Sequence, residues 1–195
     1  MKRLLDLLFA SVGLLLALPL IAAVAVAVRV VLGAPVFFVQ ERAGLGGRPF
    51  RLFKFRTMTP TVHSAQNDQG DAARLTPLGR WLRRWSLDEL PQLWHVLTGE
   101  MSLVGPRPLP TAYLSRYTPE QIRRHLVRPG LTGLAQVNGR NATTWPERLA
   151  YDVWYVDHRS LRLDLSILLR TVRLVLGGSG VSAAGEATMP EFTGR

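Results

Sequence analysis

Apolar and polar positions divide the chain into unlike stretches. Residues 7–28 carry no charge, and as one helix these 22 residues would run roughly 33 Å, enough to cross a bilayer core. Next comes PVFFVQERAGLGGRPFRLFKF, residues 35–55: two β-rich runs joined at Gly44, Gly46 and Gly47, which predict a hairpin. Residues 59–73 are polar without apolar periodicity and predict a mobile loop. In TPLGRWLRRW, Thr76 is placed as an N-cap with Pro77 in the first turn. Leu78, Trp81, Leu82 and Trp85 fall on one face of that helix, with arginines over much of the rest. TPEQIRRHL sets Thr118 and Gln121 in capping-box order. A helix is predicted from Pro146, and another in LRLDLSILLRTVRLVLGG, where Arg162, Arg170 and Arg173 interrupt a broad apolar surface and Gly177 closes the end. The tail from Gly178 is small and polar. There is no internal repeat and no clear linker after residue 34, so the body is one unit.

Charge narrows the partners. The chain has 195 residues, 24 basic against 14 acidic, for a net +10, which favours a polyanion or an anionic surface. With no cysteine, disulfides, zinc thiolates and cysteine nucleophiles are excluded. His63, His95, His125 and His158 show no metal-ligand spacing and read as structural. No P-loop, no GxGxxG and no Asp-x-Asp is present.

The apolar N-terminus admits three readings. Lys2, Arg3 and the alternating alanines near Ala23 suit a signal peptide, but the apolar run is longer than a usual signal core. A spanning helix leaves the basic body opposite Lys2 and Arg3, against the positive-inside bias. Pro19, near the middle, would break or kink the run and allow a re-entrant hairpin with both basic ends on one side. On the residues alone the straight span is favoured, because kinked spanning helices are common.

Candidate chemistry centres on SLDELPQLW, where Asp88 and Glu89 stand side by side behind Arg80, Arg83 and Arg84. A capping box, Ser86 with Glu89, explains one acid; Asp88 as N-cap explains the other. The alternative is an ionised aspartate acting as a nucleophile toward phosphorus, beside a glutamate that holds magnesium. A helix N-terminus would keep Asp88 anionic. In GPRP, two prolines restrict the direction of Arg107, which suits a phosphate contact; the plainer reading is a rigid turn. RPGLTGLAQVNGRN, residues 128–141, has the glycine and arginine content of a phosphate-binding loop. FKFRTM interleaves aromatic and basic residues. That raises nucleic-acid binding, which the apolar N-terminus argues against.

Taken together, PVFFVQERAGLGGRPFRLFKFRTM, LTPLGRWLRRWSLDELPQLWHVLTGEMSLVGPRP and RPGLTGLAQVNGRN resemble the bacterial sugar transferases, the monotopic phosphoglycosyl transferases. The size and the ending GVSAAGEATMPEFTGR resemble the members that contain only the catalytic unit, among them enzymes that start bacterial protein glycosylation. The resemblance implies transfer of sugar 1-phosphate from a UDP-sugar to polyprenol (undecaprenyl) phosphate, with release of UMP. It implies Mg2+, Asp88 as a nucleophile that forms a covalent phosphosugar intermediate, and Glu89 as the metal ligand. Arg107 and Arg140 match phosphate- or nucleotide-binding positions and Arg83 another basic position of the site. Lys54, Arg56, Arg128, Asn138 and Asp152 match supporting positions.

The fold it implies is α+β and mostly helical, with a small β-hairpin and amphipathic interfacial helices. Residues 1–33 would form a re-entrant membrane helix broken at Pro19, although Leu18-Pro19 stands where members commonly carry Ser-Pro. Residues 34–195 would form a catalytic domain on the cytoplasmic face of the bacterial inner membrane, in contact with anionic lipid. The competing expectation is a non-catalytic membrane-surface module that binds lipid or a partner.

Overall fold

The computed structural model describes residues 1–60, 71–139, 143–177 and 191–194. One helix, α1 (Lys2–Leu32), takes up the apolar N-terminus. By length and composition it is the one helix among the described residues able to cross a membrane. Pro19 lies inside it, and the residues on either side stay helical. The predicted break is therefore a proline within one continuous helix. It removes a single backbone donor, while the apolar turns around it keep their own bonds.

Both ends of α1 are held on the same body. Lys2 Nζ lies 2.6 Å from Asp164 Oδ2. Asp6 accepts from Ser102 Oγ at 2.8 Å and from the Leu103 N–H at 3.2 Å. Arg3 donates to the carbonyls of Val96 and Leu97. At the far end Val24 and Val28 pack with Phe55 and Leu82. There Arg56 donates to the carbonyls of Leu32, Gly33 and Ala34, the orphan acceptors at a helix C-terminus. Arg56, expected at the substrate, is occupied with that cap. Between the ends, Leu15, Leu16, Leu18 and Leu20 are exposed.

The hairpin forms as predicted. Strands β1 (Phe37–Ala43) and β2 (Pro49–Phe55) pair antiparallel, Phe37 opposite Phe55 and Ala43 opposite Pro49, around a 3₁₀ turn at Leu45–Gly47. Residues 61–70 of the expected loop lie outside the described residues. Its flanks are joined by the Met58–Leu75 bridge, and its last residues enter a short helix, α2 (Asp71–Arg74).

Helix α3 (Pro77–Arg84) starts at the Thr76 cap, whose Oγ1 accepts from the Gly79 N–H at 3.0 Å. A Cβ on Gly79 would sit 2.0 Å from the Thr57 carbonyl, so α3 lies directly on the backbone that leaves β2. Leu82 is fully buried while Trp81 is half exposed; the helix buries Leu78 and Leu82 and leaves that tryptophan outside.

A 3₁₀ segment, Leu87–Gln92, leads into α4 (Leu93–Thr98), which ends at Gly99 in the left-handed region. The short strand β3 (Ser102–Val104) pairs in parallel with β4 (Gly130–Thr132), a second sheet that no periodicity announced. A Cβ on Gly130 would lie 2.0 Å from Gly105 N, and one on Gly105 2.4 Å from the Arg128 carbonyl. Gly130, from the glycine-rich stretch, and Gly105 let two backbones touch. Helices α5 (Leu134–Val137), α6 (Trp145–His158) and α7 (Leu161–Leu176) complete the chain, α6 opening on a reciprocal Thr144–Glu147 box and α7 on the Ser160 cap.

The largest core cluster joins Ala10 of α1, Phe50 and Leu52 of β2, Val96 of α4 and Ile167 of α7. Each of the larger side chains contributes roughly 1.5–3 kcal/mol on burial. A separate cluster, Leu109, Tyr113, Leu149 and Phe192, lies beneath the segment that carries Arg107.

Candidate active site

Ser86 is the one non-glycine residue among those described with positive φ, at 54°. An N-cap residue takes extended geometry and accepts from the turn that follows; Ser86 does neither, and its side chain makes no cap bond. The Glu89 N–H bonds the Ser86 carbonyl at 3.3 Å instead. Asp88 is not a cap either, because it lies within the 3₁₀ segment and is buried to 4% exposure. Both capping explanations fail, and both carboxylates are left to other partners.

The cations that act on them come from four separate elements, Lys54 and Arg107 by contact and Arg83 and Arg42 through their charge. Lys54, near the end of β2, brings Nζ to 3.9 Å from Asp88 Oδ2. Arg107, after β3, engages Glu89 through both terminal nitrogens, Nη1 to Oε2 at 3.4 Å and Nη2 to Oε1. This is the planar fork that arginine offers a carboxylate. Arg83, on the last turn of α3, donates Nε to Thr57 Oγ1 at 3.1 Å. Arg42, near the end of β1, donates to the Pro108 carbonyl at 3.3 Å and to Gln40 Oε1 at 2.5 Å. Its buried Nε has no partner among the described residues. The strand ends meet the GPRP segment because Ala43 N bonds the Leu109 carbonyl at 2.9 Å.

Electrostatics follow from this crowding. Burial, and then the neighbouring Glu89 charge, push the Asp88 carboxyl up to about 6 against the pull of Lys54, Arg83 and Arg107. The sequence reading placed Asp88 at a helix N-terminus that would favour its anion; here desolvation and a like charge win. The group is still mostly ionised at neutral pH. Burial pushes the Lys54 ammonium down, offset in part by Asp88 and Glu89. Glu89 holds Arg107 firmly charged. Burial, then Arg107, bring Arg42 down to about 10, still a cation at neutral pH. Burial and Arg124 push His125 down to about 4, so it is a neutral packing group. Buried His95 bridges the Phe53 N–H and Glu100. His63 lies outside the described residues.

The structure thus brings Asp88, Glu89, Lys54, Arg83 and Arg107 together, and it adds Arg42. Other expected site residues are engaged elsewhere. Asp152 is fully buried in an ion pair with Arg124, 2.7 Å from Nη2 and 3.1 Å from Nε. Arg124 in turn donates to the Arg107 carbonyl at 2.7 Å, which ties the Asp152 pair to the segment that carries Arg107. Asn138 Oδ1 accepts from Arg170 at 2.6 Å. Arg128 donates to the Gly99 carbonyl at 2.8 Å and lines a different cavity, shared with Lys2 and Arg159. Arg140 lies outside the described residues. Arg42, Arg124 and Arg148 were missed: single arginines in mixed surroundings carry no local signal, and only packing brings them near Arg107.

Residues 1–178 match the family described as bacterial sugar transferase. The chain belongs to that family. Over 195 residues this sugar transferase is 52% identical to the uncharacterized sugar transferase EpsL of Bacillus subtilis (strain 168), covering 100% of this chain and 96% of that one. It is 46% identical over 188 residues to a UDP-glucose:undecaprenyl-phosphate glucose-1-phosphate transferase of Caulobacter vibrioides, covering 90% and 69%. Against a UDP-N-acetylgalactosamine-undecaprenyl-phosphate N-acetylgalactosaminephosphotransferase of Aeromonas hydrophila the identity is 38% over 187 residues, covering 92% and 44%. This sugar transferase therefore spans under half the length of the last relative.

Proposed function

We propose that this sugar transferase moves sugar 1-phosphate from a UDP-sugar to polyprenol phosphate and releases UMP. The observation that carries the reading is Asp88: buried, unused as a cap, and faced by Lys54 within a ring of arginines. The named reactions of the relatives, UDP-sugar donors with undecaprenyl phosphate as acceptor, support the same chemistry.

In the first step an Asp88 carboxylate oxygen attacks the sugar-bearing phosphorus of the donor. The bond from that phosphorus to the bridging oxygen breaks, and UMP leaves with the bridging electrons. In the second step an oxygen of polyprenol phosphate attacks the same phosphorus. The acyl phosphate bond breaks, Asp88 returns as carboxylate, and polyprenyl diphosphate sugar is the product. Lys54, Arg42, Arg83 and Arg107 supply fixed positive charge where the diphosphate gains negative charge on bond breaking. A carboxylate titrating near 6 stays ionised at neutral pH while remaining a better nucleophile than an ordinary aspartate.

Mg2+ fits the donor set. Among the described residues no group of three acidic or histidine ligands exists, whereas Asp88 and Glu89 are adjacent. Magnesium in nucleotide sites characteristically uses one or two carboxylates and fills its remaining positions with water and phosphate oxygens. Glu89 would hold it, and the ion would neutralise diphosphate charge. Arg107 engages the same carboxylate.

We further propose that α1 sits in one leaflet with both ends on the same side of the bilayer. A straight helix of 31 residues would be roughly 46 Å long, and a spanning one would carry one end to the far side of the bilayer. Lys2, Arg3 and Asp6 at one end and Val28 and Leu32 at the other all contact the same body, while the middle is exposed and apolar. The net +10 charge suits an anionic cytoplasmic leaflet.

The test is UMP release from a panel of UDP-sugars with magnesium, with and without polyprenol phosphate. The proposal expects release that the lipid sustains, with an aspartyl-phosphosugar adduct seen by intact mass when donor is given alone. A lipid-binding module would release nothing. A hydrolase of lipid-linked diphosphates would act without UDP-sugar.

A further inference from the structure

The family match ends at residue 178, yet a short segment beyond it is docked close to the arginines of the site. Phe192 is 1% exposed. Its ring centroid lies 5.3 Å from Trp145, 5.4 Å from Tyr117 and 5.6 Å from Tyr113. Its N–H donates to the Tyr113 hydroxyl at 3.3 Å, and Arg116 donates to its carbonyl and to Glu191 Oε1.

The rings that Phe192 touches are the ones on which site arginines rest. The Arg148 guanidinium lies 5.4 Å from the Trp145 ring and that of Arg124 lies 5.8 Å from Tyr117, contacts of the cation–π kind. Arg124 holds the Arg107 carbonyl. Leu109, two residues beyond Arg107, packs in the same cluster as Phe192, and its carbonyl receives the bond from Ala43, next to Arg42. The backbone of Arg107 is thus fixed through two routes that both end on one phenylalanine.

We infer that Phe192 is a positioning residue, and that the segment around it aims Arg107 and Arg42 at the diphosphate of the nucleotide donor. This rests on the function proposed above. An ordinary buried phenylalanine would contribute stability alone; one set beneath the arginine-bearing segments also sets how tightly they grip a diphosphate, since a small misplacement of a charged contact is expensive in affinity.

The experiment uses the full-length protein and equilibrium binding of UDP, with kcat and KM measured alongside. Phe192→Ala should weaken UDP binding about tenfold or more, which is about 1.4 kcal/mol, and raise KM for the donor more than it lowers kcat. Phe192→Leu should recover most of the loss. Arg116→Ala, a milder change that frees the segment without emptying the core, should shift UDP binding in the same direction and covers the case in which Phe192→Ala does not fold. Ile167→Ala, in the largest core cluster, should lower Tm comparably and leave UDP affinity near wild type. UDP affinity unchanged within about twofold in Arg116→Ala or in a folded Phe192→Ala, or an equal loss in Ile167→Ala, overturns the inference. A wild-type protein that binds no UDP overturns the proposed function instead.

Discussion

Glu89 turns its carboxylate to Arg107, which reaches it through both terminal nitrogens. Arg107 therefore acts on the neighbouring acid, beside the phosphate contact proposed for it. It is among the charges that hold the Asp88 carboxyl down against burial and Glu89.

Replacing Arg107 separates these roles. The proposed mechanism needs the Asp88 carboxylate, so kcat/KM should rise with pH through an apparent midpoint near 6 in the wild type. Arg107→Ala removes a charge that favours the anion, so its rising limb should move to higher pH. Arg107→Lys keeps a charge but loses the fork; its limb should stay closer to wild type while KM for the donor rises. A pH–rate profile of the three proteins checks this, and an unmoved limb in Arg107→Ala would uncouple the pair.

Asp88→Asn should lower turnover by about three orders of magnitude or more while making the protein more stable. A carboxyl whose folded midpoint is raised from 3.8 to about 6 binds its proton more tightly in the folded state. Stability is therefore lost as pH rises between those values, and the full penalty stands above 6, on the order of 3 kcal/mol at most. Denaturant unfolding in chelator should show Asp88→Asn ahead of wild type at pH 7.5, with the advantage shrinking toward pH 4. Equal stabilities at both pH values would mean that Asp88 is not strained by its burial.

What could be read from the chain divides by distance. The caps at Thr76 and Thr118 involve residues three apart, and each forms as the local pattern indicates. Ser86 and Glu89 present the same spacing and do not form a box, because Ser86 is turned into the left-handed region and Arg107, 18 residues on, takes the glutamate. Arg56 and Asp152 have charges that suit a substrate; their partners, the end of α1 and Arg124, are 22 to 28 residues away, and no spacing rule reaches that far. The tail read as small and polar because a single phenylalanine among small residues has no periodicity, so its burial depends wholly on tertiary packing.

Glu89→Gln should weaken the magnesium dependence of turnover sharply. The amide keeps the shape but gives up the charge that a hard cation needs. It also releases Arg107 from its strongest partner, so UDP binding without metal should hold or tighten. Magnesium titrations of activity, run beside metal-free UDP binding, separate these effects. A titration that superimposes on wild type would remove Glu89 from the metal site.

Asp152→Asn tests whether that acid supports the site or contacts substrate. Arg124 would be left as a buried cation facing an amide, a loss of roughly 3–5 kcal/mol in comparable pairs. Thermal or denaturant unfolding should show that loss with or without UDP-sugar. The double variant Asp152→Asn, Arg124→Met should recover part of it, since a buried pair replaced by groups of similar volume is often near neutral. A protein of wild-type stability that has lost only donor affinity would return Asp152 to the substrate.

The topology of α1 is open to labelling because the chain has no cysteine of its own. Lys2 sits at one end of the helix and Arg48 on the exposed hairpin turn of the body. Single cysteines at these positions, probed in sealed vesicles of known orientation, should react with a membrane-impermeant reagent from the same side. The physical reason is that a spanning α1 would have to pull Lys2 from Asp164 and Asp6 from Ser102. It would also strand Arg3 away from the α4 carbonyls it satisfies, leaving paired groups without partners in hydrocarbon. Labelling from opposite sides would mean that those contacts are given up in the membrane, and the one-leaflet reading would fall.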